Sequence, residues 1–205
     1  MKSVRLGRTG LTVSELCFGT MSFGGDADEA EAGRLYAACR DAGITFFDCA
    51  NVYNGGRAEE ILGRLIASER DKLVITSKVG MPLSEGGPND SGSNRRHITR
   101  AVEDSLRRLN TDRLDVYFLH KWDTETPIEE SLRALEDLVR AGKVLHIGAG
   151  ASVQGRKRLV QQHNGPVLHQ RARKGGALSH STGQRVGLLA RVARQTDPFQ
   201  QIAGP

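Results

Sequence analysis

The sequence predicts an α/β fold with a parallel sheet of the (β/α)8 TIM-barrel type, stopping after its fifth strand. Three observations predict it. Strand-length apolar runs alternate with amphipathic helical stretches about every 30 to 40 residues. The runs are nearly continuous in apolar character, as parallel strands buried on both faces require. No hairpin signal separates one unit from the next, so right-handed crossovers connect the strands.

The five strands are predicted at ELCFGT (15–20), ITFFDCA (44–50), KLVITSKVG (72–80), RLDVYFLH (113–120) and KVLHIGAG (143–150), each bounded by breakers. A first helix over about 28–42 places Ala32, Leu35, Tyr36 and Cys39 on one face and stops at Gly43, a natural C′ residue. A shorter helix fits about 57–68. Residues 95–109 put Ile98, Val102, Leu106 and Leu109 on a stripe, after Ser93 or Asn94 as cap. In TPIEESLRALEDLVRAG, Thr126 is the expected cap, Pro127 fits N1 and Glu129 completes a capping box; Ile128, Leu132, Leu135 and Val139 are the expected buried stripe before Gly142. An open doubly wound sheet shares this alternation. However, the stretch after the first strand, GTMSFGGDAD, lacks the GxGxxG spacing of a dinucleotide fingerprint, which favours the barrel.

At 205 residues the chain is long enough for one domain with a full core. The N-terminal residues lack the apolar region of a signal peptide, and no run approaches the roughly 18 apolar residues of a membrane span, so a cytoplasmic protein without a membrane partner is expected. Cys17, Cys39 and Cys49 are odd in number and show no CxxC spacing; buried reduced thiols are expected, with no metal site.

Composition divides the chain near Gly150. Residues 1–150 carry 20 Lys and Arg against 23 acidic residues, whereas 151–205 carry nine against one; all eight glutamines fall in the second part. The basic tail has almost no aromatic residues for stacking, so a solvated, disordered segment is favoured over a nucleic-acid-binding arm.

Chemistry in parallel α/β folds gathers at the C-terminal ends of the strands. There the sequence places Asp48, with Tyr53 in the following loop, then Lys78, then His120. Each alone is consistent with a structural role, as a turn cap, a packed ring, a solvated strand end or a core histidine. Together they are harder to explain that way, because charges at the ends of buried strands are costly unless partners from adjacent strands await them. An ammonium beside a tyrosine stabilises phenolate and lowers the phenol's pKa, and a carboxylate holds the ammonium; Lys78 and Asp48 fit those roles. A neutral histidine orients a carbonyl oxygen by donating a hydrogen bond. The set suits hydride addition to a carbonyl, with Tyr53 protonating the developing alkoxide.

The stretches LGRTGLTVSELCFGTMSFGG, DAGITFFDCANVYNGGRAEEILGRLI, VITSKVG, GPNDSG, RRHITRAVEDSLRRLNTDRLDVYFLHKWD and TPIEESLRALEDLVRAGKVLHIG are jointly very specific. Through them the chain, from about Val4 to Ala149, resembles the aldo-keto reductases, in the branch that is also similar to potassium-channel β subunits and aryl-alcohol dehydrogenases. The resemblance implies a (β/α)8 barrel, NADPH as hydride donor, a small-molecule carbonyl substrate, and a tetrad at Asp48, Tyr53, Lys78 and His120. It further implies that Gly19, Thr20, Met21 and Asp26 lie along the cofactor, that Asp48 touches the nicotinamide ribose, and that Trp122 flanks the substrate pocket, where a packing role is equally open to it.

The resemblance stops near Gly150. A full barrel needs about 250 residues, and three further units need about 90, whereas 55 remain. Gly150 and Ala151 stand where the resembling family has a Ser-Asn pair for the nicotinamide carboxamide, and 151–205 contains none of the later cofactor-binding landmarks. The expectation is that the tail is read out of the family's frame and that the barrel is truncated, the chain being either an NADPH-dependent reductase of aldehydes or ketones or a copy of one left inactive by the truncation. A non-enzymatic regulatory module, like the channel subunits, is the competing reading; His120, where that branch carries another residue, argues for an enzyme.

Overall fold

Five parallel strands pair in strict chain order in the computed structural model of the protein, which describes residues 1–83 and 86–149. They are β3 (Phe18–Gly19), β4 (Phe46–Asp48), β5 (Val74–Val79), β6 (Leu114–Leu119) and β7 (Val144–Ala149). A doubly wound sheet reverses its strand order at a switch point, and no reversal occurs among the described residues. Consecutive pairing is the arrangement of a barrel wall, and five units of it lie among the described residues. The basic tail of 151–205, with the Gly150 and Ala151 positions, lies outside them.

Crossover helices α1 (Glu29–Asp41), α2 (Arg57–Ile66), α3 (Arg95–Leu109) and α4 (Ile128–Arg140) connect the strands. The first starts where Asp28 accepts a hydrogen bond from the Glu31 amide and ends at Gly43, whose φ of 82° is the left-handed C′ conformation. The third starts at Asn94, which caps the His97 amide at 2.9 Å. Its predicted stripe of Ile98, Val102, Leu106 and Leu109 is buried.

The fourth helix departs from expectation at its start and in its buried face. Its N-cap is Pro127, with no side-chain cap, because the Thr126 hydroxyl donates instead to Asp123 at 2.8 Å. The fully buried positions are Ser131, Ala134, Leu135 and Leu138, while Ile128, Leu132 and Val139 are half-buried. The Ser131 hydroxyl donates to the Ser93 carbonyl at 2.7 Å, and this buried bond turns the helix away from its purely apolar stripe.

An antiparallel hairpin of β1 (Ser3–Arg5) and β2 (Thr12–Ser14) precedes the first parallel strand and was not expected from the pattern. Val13 packs with Cys17, Phe46 and Val74, so the hairpin closes the end of the sheet where the strands begin. Ser14 and Thr45 exchange side-chain-to-amide hydrogen bonds, fixing the hairpin to the start of β4. Side chains on a strand alternate faces. Phe47, Ile75, Tyr117 and Leu119 thus join α1–α4 in the main core, while Asp48, Thr76 and Lys78 lie on the opposite face, the barrel interior. All three cysteines are buried free thiols.

Candidate active site

Asp48 ends β4, in register with Gly19 of β3 and Thr76 of β5. Thr76 and Lys78 are two residues apart on β5 and therefore share a face. Each takes one oxygen of the Asp48 carboxylate: the Thr76 hydroxyl donates to Oδ1 at 2.7 Å, and Lys78 Nζ donates to Oδ2 at 2.7 Å. Asp48 and Lys78 are buried. A buried charge pair persists only where geometry and further hydrogen bonds satisfy it. Lys78 meets that condition, since Nζ also donates to the Cys49 carbonyl at 2.6 Å and to the Tyr53 hydroxyl at 3.1 Å. All three of its hydrogens are committed.

Tyr53 opens a 3-10 turn, Tyr53–Gly56, with its amide bonded to the Ala50 carbonyl. Lys78 can only donate, so the Tyr53 oxygen accepts and the phenol keeps its hydrogen to give elsewhere. Lys78 Nζ also lies 4.8 Å from the ring centroid. His120 follows β6 directly, and its ring meets that of Tyr53 edge-on with centroids 5.9 Å apart. All four residues predicted at the strand ends thus meet on one rim.

The electrostatics differ from expectation at Tyr53. Burial raises its pKa and the Asp48 carboxylate adds to the rise; Lys78 opposes both and is outweighed. The phenol therefore stays protonated at neutral pH, as a proton donor must. Burial disfavours charge on Lys78, but Asp48 and Tyr53 together lift its pKa above the ordinary value, so it remains an ammonium.

Residues 15–164 match the family model described as the aldo/keto reductase family. The chain belongs to the aldo/keto reductase family. The match runs beyond Ala149, where the sequence-level resemblance stops. The chain is 45% identical over 159 residues to an uncharacterized oxidoreductase of Bacillus subtilis, covering 73% of this chain and 49% of that protein. It is 39% identical over 184 residues to a probable voltage-gated potassium channel subunit beta of Oryza sativa, covering 83% and 54%. A holo-form aldo-keto reductase from Bacillus halodurans superposes with a TM-score of 0.68 at 36% identity, covering 74% of this chain and 51% of that one. The chain thus spans about half the length of the relatives it matches.

Within this aldo/keto reductase chain, the remaining predicted positions have different surroundings. Gly19 is half-buried beside Asp48, and Met21 and Asp26 are exposed. Thr20 is buried and gives both its amide and its hydroxyl to the Asp48 carbonyl, at 2.9 and 3.1 Å, so its side chain is already engaged in joining β3 to β4. Trp122 is 63% exposed and does not join the cluster. Its loop is held by Asp123, which accepts from the Ser93 amide, the Ser93 and Thr126 hydroxyls and the Glu125 amide; these bonds hold the Asp123 carboxyl well below the usual range.

Two residues of the site were missed by sequence reasoning. Thr76, the second anchor of Asp48, was findable from its spacing of two before Lys78 on a strand. Asn54 donates from Nδ2 to the Met21 and Phe23 carbonyls, both at 2.8 Å, and no local pattern signals that contact.

Proposed function

We propose that the protein reduces the carbonyl group of aldehydes or ketones to an alcohol, with Tyr53 as the proton donor. The observation that carries this reading is the hydrogen bond from Lys78 to Tyr53 at 3.1 Å, made by an ammonium that Asp48 holds from behind. NADPH held at this rim would supply the hydride, and Tyr53 gives its proton to the carbonyl oxygen. Lys78 stabilises the phenolate that remains, and solvent returns its proton. His120, edge-on to Tyr53, orients the carbonyl oxygen. Trp122 borders the substrate side of the rim.

The residues present fit a nicotinamide group at this rim. Gly19, in register with Asp48, carries no side chain to cover that carboxylate, and Met21 and Asp26 are exposed on the loop that follows. Asp48, with one donor on each oxygen, is held rigidly enough to meet a ribose hydroxyl. Three free cysteines agree with a cytoplasmic location, where thiols stay reduced.

The test is carbonyl-dependent oxidation of NADPH by the purified chain, across aromatic and aliphatic aldehydes. Consumption is expected only when aldehyde is present. Absence of NADPH binding in a fluorescence titration would refute the reading. The likeness to a probable channel β subunit supports a regulatory alternative; it predicts NADPH binding without turnover, together with retention of a membrane partner in a pull-down.

A further inference from the structure

Asn54 follows Tyr53 and takes φ 50° and ψ 45°, a left-handed conformation that asparagine tolerates better than most side chains. Gly55 and Gly56 continue with φ of 67° and 89°, so three consecutive residues are left-handed before α2 begins. From this turn the Asn54 side-chain amide reaches the loop after β3. Both of its hydrogens go there, one to the Met21 carbonyl and one to the Phe23 carbonyl. Gly25 makes the approach possible, since a Cβ there would stand 2.7 Å from Asn54 Oδ1.

Loop 20–27 is also closed on itself. The Phe23 amide donates to the Thr20 carbonyl, the Gly24 amide to Ala27, and the Gly25 and Ala27 amides to Ser22. Phe23 is buried beneath it, while Met21 and Asp26 are exposed on it. The loop is a small preformed unit, and Asn54 fastens it to the turn that carries Tyr53.

We propose that Asn54 is a positioning residue that clamps loop 20–27 to the Tyr53 turn, so that the two move as one body. The consequence for cofactor binding rests on the proposed function; the clamp itself does not. An asparagine kept only for its left-handed backbone would make none of the following differences.

Asn54→Gly keeps the left-handed turn and removes both donors. Asn54→Asp keeps the size and sets an acceptor-only carboxylate against two carbonyl oxygens. Amide hydrogen exchange on the full chain is expected to quicken about five- to tenfold in both variants at Gly24, Gly25 and Ala27, and at Tyr53 and Gly55, with β5 amides unchanged. NADPH affinity is expected to weaken in parallel. Unchanged exchange in both loops overturns the clamp, as does an acceleration spread evenly over the whole molecule. A native chain that binds no NADPH refutes the reduction proposal instead, and the exchange comparison still decides the clamp.

Discussion

Lys78 and Asp48 form an ion pair at 2.7 Å with side chains only 7% and 3% exposed, so each charge depends on the other for its solvation. Removing one partner strands the other in the barrel interior. Lys78→Met is expected to cost about 3–5 kcal/mol of stability in urea denaturation. The double variant Asp48→Asn with Lys78→Met is expected to cost less than the sum of the single changes. Additive losses would contradict the pairing.

Helices α2 and α3 approach so closely that a Cβ at Gly63 would lie 2.6 Å from the Arg108 carbonyl oxygen and the Leu109 carbonyl carbon. Alanine favours an isolated helix over glycine by about 1 kcal/mol. Here the backbone contact outweighs that preference, and Gly63→Ala is expected to destabilise by about 1–3 kcal/mol. A thermal midpoint that rises or stays level would refute the close approach.

Glu69 accepts hydrogen bonds from Arg40 and from the Tyr36 hydroxyl, which bring its pKa from an ordinary 4.5 down to about 2. A carboxyl whose folded pKa is depressed stabilises fully above its unfolded pKa and loses that contribution as pH falls through the folded value. The native protein is therefore expected to lose more stability between pH 5 and 2 than Glu69→Gln does. Parallel urea midpoints across that window would exclude a stabilising role for the contact.

Much of this arrangement is legible in the sequence. Helix α3 occupies the predicted 95–109, because its stripe is apolar throughout and its cap is an asparagine. The strands are shorter than their apolar runs, β3 shrinking from 15–20 to Phe18–Gly19, because hydrophobicity marks burial rather than ladder pairing. The first hairpin is not legible in the sequence because its strands are three residues each, and β1 is wholly exposed and so leaves no burial pattern.

The site divides in the same way. Asp48, Lys78, Tyr53 and His120 were readable as ionisable groups at strand ends, which are rare without a reason. The rise in the Tyr53 pKa was not readable, since it depends on how deeply the ring is buried, which composition does not encode. The exposure of Trp122 and the two bonds made by Asn54 depend on loop paths fixed by distant partners, Asp123 with Ser93 in one case and the loop after β3 in the other.

In the proposed reaction Tyr53, held by Lys78 and Asp48, gives its proton to a carbonyl oxygen. Tyr53→Phe removes that proton and keeps the ring packed against His120. Aldehyde-dependent NADPH consumption by the native chain and by this variant measures that proton's contribution. The expected result is turnover in the native chain and a loss of about 10²–10⁴-fold in Tyr53→Phe, with NADPH affinity retained. Turnover surviving the substitution would rule out Tyr53 as the proton donor.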